Sequence, residues 1–196
     1  MERGNQIHKL AEDYLKGSIS RLPPELKPLE AEFKRLRAVY KKRLSGMTVE
    51  DTWAFTKDWT RTVWNDWVGC WVRIKLDAAH PEDDTLIVTD WKTGKYRDED
   101  VELYIEQLEL YALAGLMLHP HLKAVRPRLG YTDQGRFYPG EGDDVLEFTQ
   151  ADVPRLKKLW EKRVGPMFKD RRFAPRANSK CKWCYYGQAG KKICKF

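Results

Sequence analysis

Asp90 and Lys92 stand two residues apart at the end of a short apolar run, Leu86-Ile87-Val88, within the stretch Thr85–Lys95. The run is β-rich and bounded by Asp83-Asp84 before it and Gly94 after it, which predicts a short buried strand. Side chains alternate along a strand, so the carboxylate and the ammonium project from one face, roughly 6–7 Å apart along the chain. Carboxylate oxygens are the ligands a hard divalent cation prefers. A lysine beside such a cation can orient a water or neutralise charge developing on a phosphate. An Asp-x-Lys pair alone is an ordinary surface ion pair, but the preceding segment adds to it. In Trp71–Asp77, Val72, Ile74 and Leu76 alternate with Arg73, Lys75 and Asp77, the pattern of a strand with one apolar face. Only His80-Pro-Glu-Asp-Asp84 separates the two runs, so they predict an antiparallel hairpin that brings Asp77 and Asp90 together near its open end or across a bulge. Two such carboxylates repel unless a cation lies between them.

The rest of the chain supplies elements that must hold this pair. Met1 to Gly17 predicts a helix, because Ile7, Leu10, Ala11, Tyr14 and Leu15 keep three-four spacing. His8 and Glu12 lie one turn apart beside that face; a lone histidine there is ordinarily a core or capping residue, and Glu12 reads as a surface group. Pro23-Pro24 starts a second helix running to about Leu44, with Leu26, Leu29, Phe33, Leu36, Tyr40 and Leu44 as its apolar stripe. Its other face carries Lys27, Lys34, Arg35, Arg37, Lys41, Lys42 and Arg43, either a solvated face or the lining of a duplex path. Val49 to Trp71 is dense in aromatics. Trp53 and Phe55 indicate a strand, Lys57-Asp58 a turn, and further strand-like segments lead to Asp77. Most of these rings are expected in the core, and one or two exposed ones are candidates for stacking on unpaired bases. Glu50, ahead of this strand, is a further acidic group for the site. Asp98 to His119 predicts a long helix with Leu103, Leu108, Tyr111, Ala112, Gly115 and Leu118 facing inward and Gln107 one turn before Tyr111. Two more strands are expected over 123–132 and 144–148, with turn chemistry at Tyr131–Gly135. A capped helix follows Thr149, with Asp152 at its third residue, and continues past Trp160.

In order along the chain stand Arg3-Gly4-Asn5-Gln6-Ile7-His8, then Asp77, then Asp90-Trp91-Lys92, then Gln107-Leu108-Glu109-Leu110-Tyr111. These resemble the PD-(D/E)xK nucleases, and within them the RecB-like branch of phage exonucleases and CRISPR-associated adaptation nucleases. That branch has a helical Arg-Gly-x-x-x-His, a Gly-x-x-Asp strand, an Asp-x-Lys strand and a Gln-x-x-x-Tyr helix. The one departure is Ile74, where the pattern has Gly, which leaves the local backbone path open. The resemblance implies an α/β fold of the restriction-endonuclease-like kind, a central mixed β-sheet flanked by helices. It implies that His8, Asp77, Asp90 and the carbonyl of Trp91 hold magnesium or manganese and that Lys92 assists the attacking water. Gln107 and Tyr111 are then expected over the metal site, touching the DNA backbone or supporting Lys92. The implied activity is a metal-dependent DNA exonuclease of phage or bacterial recombination or repair, in the cytoplasm of a bacterial cell, with a single-strand-annealing or recombination protein as a possible partner. The alternatives are a structure-selective or adaptation-type endonuclease, or a non-catalytic nucleic-acid-binding module of the same fold, which would have lost Asp77, Asp90 or Lys92.

Length and composition agree with one globular domain of 196 residues. The 36 basic against 29 acidic residues give +7, a balance that suits a polyanionic partner. No apolar run approaches 18 residues and no signal-peptide core is present, which argues against membrane insertion and secretion. Three of the four cysteines crowd the end as Cys181-Lys-Trp-Cys184 and Cys194, a metal-ligand spacing more than a disulfide framework. The resemblance implies that these three are C-terminal ligands of an iron–sulfur cluster whose fourth cysteine lies ahead of the helical histidine. No cysteine stands there, and Cys70 is expected to be a buried structural thiol, so the cluster is expected to be incomplete, with zinc or plain thiols as alternatives. The chain starts close to its first motif, so a segment ahead of it is expected to be missing. The nuclease domain is expected over 1–178, with 179–196 as a tail packed on it.

Overall fold

The predicted hairpin lies at the centre of a seven-stranded mixed sheet. The structure, a computed structural model, describes residues 2–42, 46–140 and 144–196; Arg43 and Leu44, expected on the second helix, lie outside the described residues. Strand β1 (Thr48–Thr56) turns through Lys57-Asp58 to the short edge strand β2 (Arg61–Thr62). The hairpin itself is β3 (Cys70–Glu82) and β4 (Thr85–Lys92), antiparallel from Glu82↔Thr85 to Ala78↔Thr89. Its connection is shorter than the expected 80–84: pairing continues to the last position a hairpin allows, leaving only Asp83-Asp84 as the turn. Asp83 takes a left-handed φ of 50°, which aspartate tolerates. Ile74 pairs with Trp53 in regular register, so the departure at this position leaves the strand path undisturbed.

β4 and β5 (Ala124–Tyr131) are parallel, a pairing that requires a crossover, and helix α3 (Val101–Leu118) supplies it. Two further strands pair antiparallel with β5 along its other edge: β6 (Arg136–Tyr138) at one end and β7 (Phe148–Thr149) at the other. β6 was not expected, since three residues are too short to show a period. The strand expected over 144–148 forms only at its last residue, and Val145 is exposed.

Alternation along β4 assigns the helices to faces. Trp91 points into a cluster built by α1 (Glu2–Lys16) and α2 (Glu30–Tyr40), with Ile7, Ala11, Tyr14, Leu15, Phe33 and Leu36. A 3-10 turn, Pro24–Leu29, replaces the first part of the expected second helix, where Pro28 lacks the amide that an α-helical turn would use. On the opposite face α3 is buried almost all round from Leu108 to Leu116. Gly115 lets it approach the sheet, since a Cβ there would sit 3.1 Å from Leu86 and Val125. Leu103, expected inward, is 63% exposed. The inward position of that turn belongs to Tyr104, which packs among Tyr96, Tyr131 and Tyr138. Among the clustered indoles, Trp53 and Trp59 are buried, while Trp67 is exposed under the Arg73 guanidinium.

The chain divides into two compact units, residues 1–158 and 159–196. Helix α4 (Val153–Lys169) begins in the first, behind a capping box in which Thr149 and Asp152 satisfy each other's ends as expected. The second unit holds the rest of α4 and a tail with one short helical turn, Cys181–Trp183; Gly187 is its only buried residue. No described helix is long and apolar enough to cross a membrane.

Trp91 is 1% exposed, 4.5 Å from the Phe33 ring, and lies across Gly130, its register partner on β5. A Cβ on Gly130 would fall 2.6 Å from the indole and 3.1 Å from Phe137. Gly130→Ala is therefore an overpacking change, expected to cost about 1–3 kcal/mol in urea unfolding with an unchanged slope against denaturant. Wild-type stability in that variant would show that the indole has room to move.

Candidate functional site

The register of the three central strands sets a row of acids across the sheet. Continuing the β3–β4 pairing one step past Ala78↔Thr89 places Asp77 beside Asp90. On the other side Val49↔Ala78 and Asp51↔Leu76 flank Glu50 and Asp77, so Glu50 lies opposite Asp77. Glu50 is inside β1, not ahead of it, and its φ of 55° is left-handed, a strained backbone for a residue with a Cβ. His8, on α1, completes the group: one ligand atom each from His8, Glu50 and Asp77 lie within 4.8 Å of one another. They open on a cleft of about 560 Å³ that Glu12, Lys75 and Asp90 also line. The sequence offers Glu50 only as a further acidic group; the β1–β3 register is what sets it opposite Asp77.

Each carboxylate is held by donors from a different part of the fold. His8 Nδ1–H donates to Asp77 Oδ1 at 2.8 Å, and the Trp91 backbone N–H donates to Asp77 Oδ2 at 2.6 Å. The hydrogen bond to Asp77 raises the His8 pKa against the opposing effect of burial. Asp77 is itself held above the usual carboxylate range, chiefly by burial, with the Asp90 charge adding to it. The Tyr111 hydroxyl donates to Asp90 Oδ1 at 2.6 Å and Gln107 Nε2 to the same oxygen at 3.3 Å. Burial and then the Asp90 charge push the Tyr111 phenol far up, so it stays a neutral donor. Gln107 and Tyr111 thus grip one oxygen of Asp90, and Lys92 meets the other. Lys92 Nζ lies 2.6 Å from Asp90 Oδ2, a buried oxygen with no hydrogen bond of proper geometry. Lys75 pairs with Glu50 at 2.7 Å. Glu12 is engaged by Lys9 and Lys16, as a surface group should be.

The backbone places a carbonyl on the same side. The Lys92 carbonyl accepts from Thr132 N–H, toward β5. Alternation then turns the N–H and carbonyl of Trp91 toward β3, where the ladder has ended. Sequence reading also missed Asp133, taken as turn chemistry. Its carboxylate accepts from both Arg3 guanidinium nitrogens, at 2.9 and 2.6 Å, and from Gly94 N–H at 2.7 Å. It ties the start of the His8 helix to the loop that leaves Lys92.

Imidazole nitrogen and carboxylate oxygens, with a buried Asp90 oxygen met only by the Lys92 ion pair, are a donor set that fits a hard divalent cation such as magnesium or manganese. The tail cysteines are another matter. Cys181 and Cys194 are half-buried and Cys184 exposed. Among the described residues, His8–Glu50–Asp77 is the one set of three potential ligands with such spacing, and the three tail sulfurs are not gathered in that way. Cys70, expected to be buried, is half-buried, with its thiol 3.4 Å from the Val72 carbonyl.

A mixed sheet whose central hairpin presents acids on both strands, with a lysine two residues beyond the second, is a restriction-endonuclease-like layout. The chain belongs to the PD-(D/E)XK nuclease superfamily, whose family model matches residues 1–194. Membership implies a metal-dependent nuclease, with magnesium or manganese as the usual cation and DNA as substrate. No curated protein matches the chain. A solved structure described as the crystal structure of SSO0001 is similar at 17% identity and a TM-score of 0.37, over 95% of this chain and 94% of that one; a likeness that low does not bear on function.

A cation bound only by the native row stabilises it by mass action, about 2.7 kcal/mol at a hundred times Kd. At about 2–4 °C per kcal/mol, the melting temperature is expected to rise by about 5–10 °C in saturating manganese. His8→Ala and Glu50→Gln should each reduce that rise in differential scanning fluorimetry, and a response equal to wild type would remove that residue from the ligand set.

Proposed function

We propose that the chain is a metal-dependent DNA exonuclease of the RecB-like branch, acting in phage or bacterial recombination. The observation that supports this reading most is the Gln107–Tyr111 pair closing on Asp90, because it joins the fourth motif of the resemblance to the third in one hydrogen-bonded group. In this reading His8, Glu50, Asp77, Asp90 and the Trp91 carbonyl hold magnesium or manganese. Bound there, the cation supplies Lewis-acid polarisation of the phosphate and a more acidic water.

The chain's own groups do the remaining work. Asp77 and Asp90 are fixed before substrate arrives, since each accepts from at least two donors or cations in different elements, so little reorganisation is left for the reaction. The Lys92 ammonium orients the attacking water and offsets the charge that gathers on phosphate oxygens. Tyr111 holds Asp90 Oδ1 while Lys92 meets Oδ2, so the carboxylate is fixed at both oxygens. Loss of an orienting partner of this kind typically costs 10–100-fold in metal affinity or activity. Tyr111→Phe is therefore expected to lower cleavage by about that factor while the protein remains folded, and unchanged cleavage would show that Gln107 and Lys92 suffice.

Linear DNA labelled at either end and covalently closed circular DNA, each incubated with magnesium or manganese, test the exonuclease assignment. Mononucleotide release from one labelled end with the circle intact is the expected result; nicking of the circle would make the enzyme an endonuclease. Asp90→Ala and Lys92→Ala are each expected to lower the rate by at least about 100-fold, the scale seen when one charge-stabilising group is lost. Full turnover in either purified variant would overturn the site assignment.

A further inference from the structure

The positive charge of this chain is not spread over it. Of its 36 Lys and Arg, 11 lie in residues 159–196, together with only 2 of the 29 acidic residues. The first 158 residues hold the other 25 basic and 27 acidic side chains, and so are slightly acidic. The whole cationic excess therefore belongs to the second compact unit. The same unit exposes large rings: Phe173 is 78% exposed, Trp183 68%, Tyr185 60% and Tyr186 56%.

Charge and rings are interleaved rather than separate. Arg171-Arg172 precede Phe173, Lys182 precedes Trp183, and Lys191-Lys192 follow Tyr185-Tyr186 within one folded turn system. The Lys182 ammonium lies 4.5 Å from the Trp183 ring and that of Lys191 5.0 Å from the Tyr185 ring. Asp170 accepts from the backbone N–H groups of Arg172 and Phe173 at 2.8 and 3.0 Å, fixing that arginine-aromatic step. A protein-binding patch is the competing explanation for exposed rings. Such interfaces are depleted in lysine at their centre, however, whereas lysine here sits against the rings. Cations that follow a phosphate chain, beside rings that accept the face of any base, are the chemistry of single-strand binding.

We propose that residues 159–196 are a single-strand DNA-binding arm, a second DNA contact outside the acidic cleft. The inference rests on the proposed reading only in taking DNA as the substrate class. It adds a preference for the unpaired strand, because duplex bases present no faces to stack on.

Binding without cleavage separates the two. Fluorescence anisotropy in EDTA, with a labelled single strand of about 20 nucleotides and the matching duplex, reads affinity from about 50 to 200 mM salt. In the full chain, Arg171→Gln/Arg172→Gln/Arg176→Gln is expected to lower the salt slope for the single strand by about 2, the value for three lost phosphate contacts. Trp183→Ala is expected to weaken single-strand binding by about 5- to 100-fold and duplex binding much less. All four side chains are exposed, so folding should survive, and circular dichroism checks it. Lys27→Gln/Lys34→Gln/Lys41→Gln, three exposed lysines on α2 and the turns either side of it, should leave the slope unchanged. An unchanged slope in the arginine variant, an equal loss from the α2 variant, equal weakening of duplex by Trp183→Ala, or tighter binding of RNA of the same sequence would each overturn the proposal. Arm-dependent binding without any cleavage by the wild type would sink the exonuclease reading and leave the arm standing. Intact cleavage with arm-independent binding would do the reverse.

Discussion

Three carboxylates side by side on adjacent strands repel one another, and the organisation of the first unit follows from how that repulsion is met. Partial burial makes it worse, since a desolvated carboxylate loses the water that screens it, and the upward shift at Asp77 records that cost. The answer is a set of donors and cations drawn from four surrounding elements. α1 supplies His8, α3 supplies Tyr111 and Gln107, β3 supplies Lys75, and β4 supplies both Lys92 and the Trp91 N–H. No single element can build this site. The row is complete only when the helices of both faces are docked, so the chemistry is tied to the tertiary fold rather than to a motif.

Trp91 is where core and site meet. Its side chain is buried with Phe33 on the α1–α2 face, while its backbone N–H holds Asp77 and its neighbours Asp90 and Lys92 point to the other face. A strand allows this because side chains alternate while the backbone is shared. The absence of a side chain at Gly130 gives the indole its place. Packing on one face therefore sets the position of a carboxylate on the other, through the Trp91 backbone. Asp133 acts in the same sense at the periphery, joining the α1 start to the β4 exit through Arg3 and Gly94.

Much of this was legible in the sequence, and the divisions have physical causes. β3 and β4 show period-two alternation over enough residues to be read, and the short spacing between them dictates pairing, so the meeting of Asp77 and Asp90 follows from local rules. His8, Gln107 and Tyr111 carry no such signal. One turn apart on a helix is ordinary packing, and only the resemblance pointed to them. Glu50 was visible as an acid but not as a partner of Asp77, because its place depends on a long-range register and on a left-handed backbone that glutamate rarely adopts. Leu103 failed because apolar periodicity does not distinguish which turn of α3 meets the sheet; Tyr104 takes the inward position there. β6 was too short to see.

The charge distribution bears on how an acidic site meets a polyanion. A first unit with 27 acidic against 25 basic residues, and a row of carboxylates in its cleft, offers phosphate little attraction of its own. A divalent cation offsets the acids locally, but one ion among three carboxylates leaves the first unit with no net cationic charge for a polyanion. Long-range attraction needs net charge, and the excess in this chain lies in residues 159–196. Capture and cutting therefore make opposite electrostatic demands: the first is sequence-independent and falls steeply with salt, while the second needs fixed acids at close range. Separating them along the chain lets each be satisfied without weakening the other, and it explains how a nuclease with an acidic centre can carry an overall charge of +7.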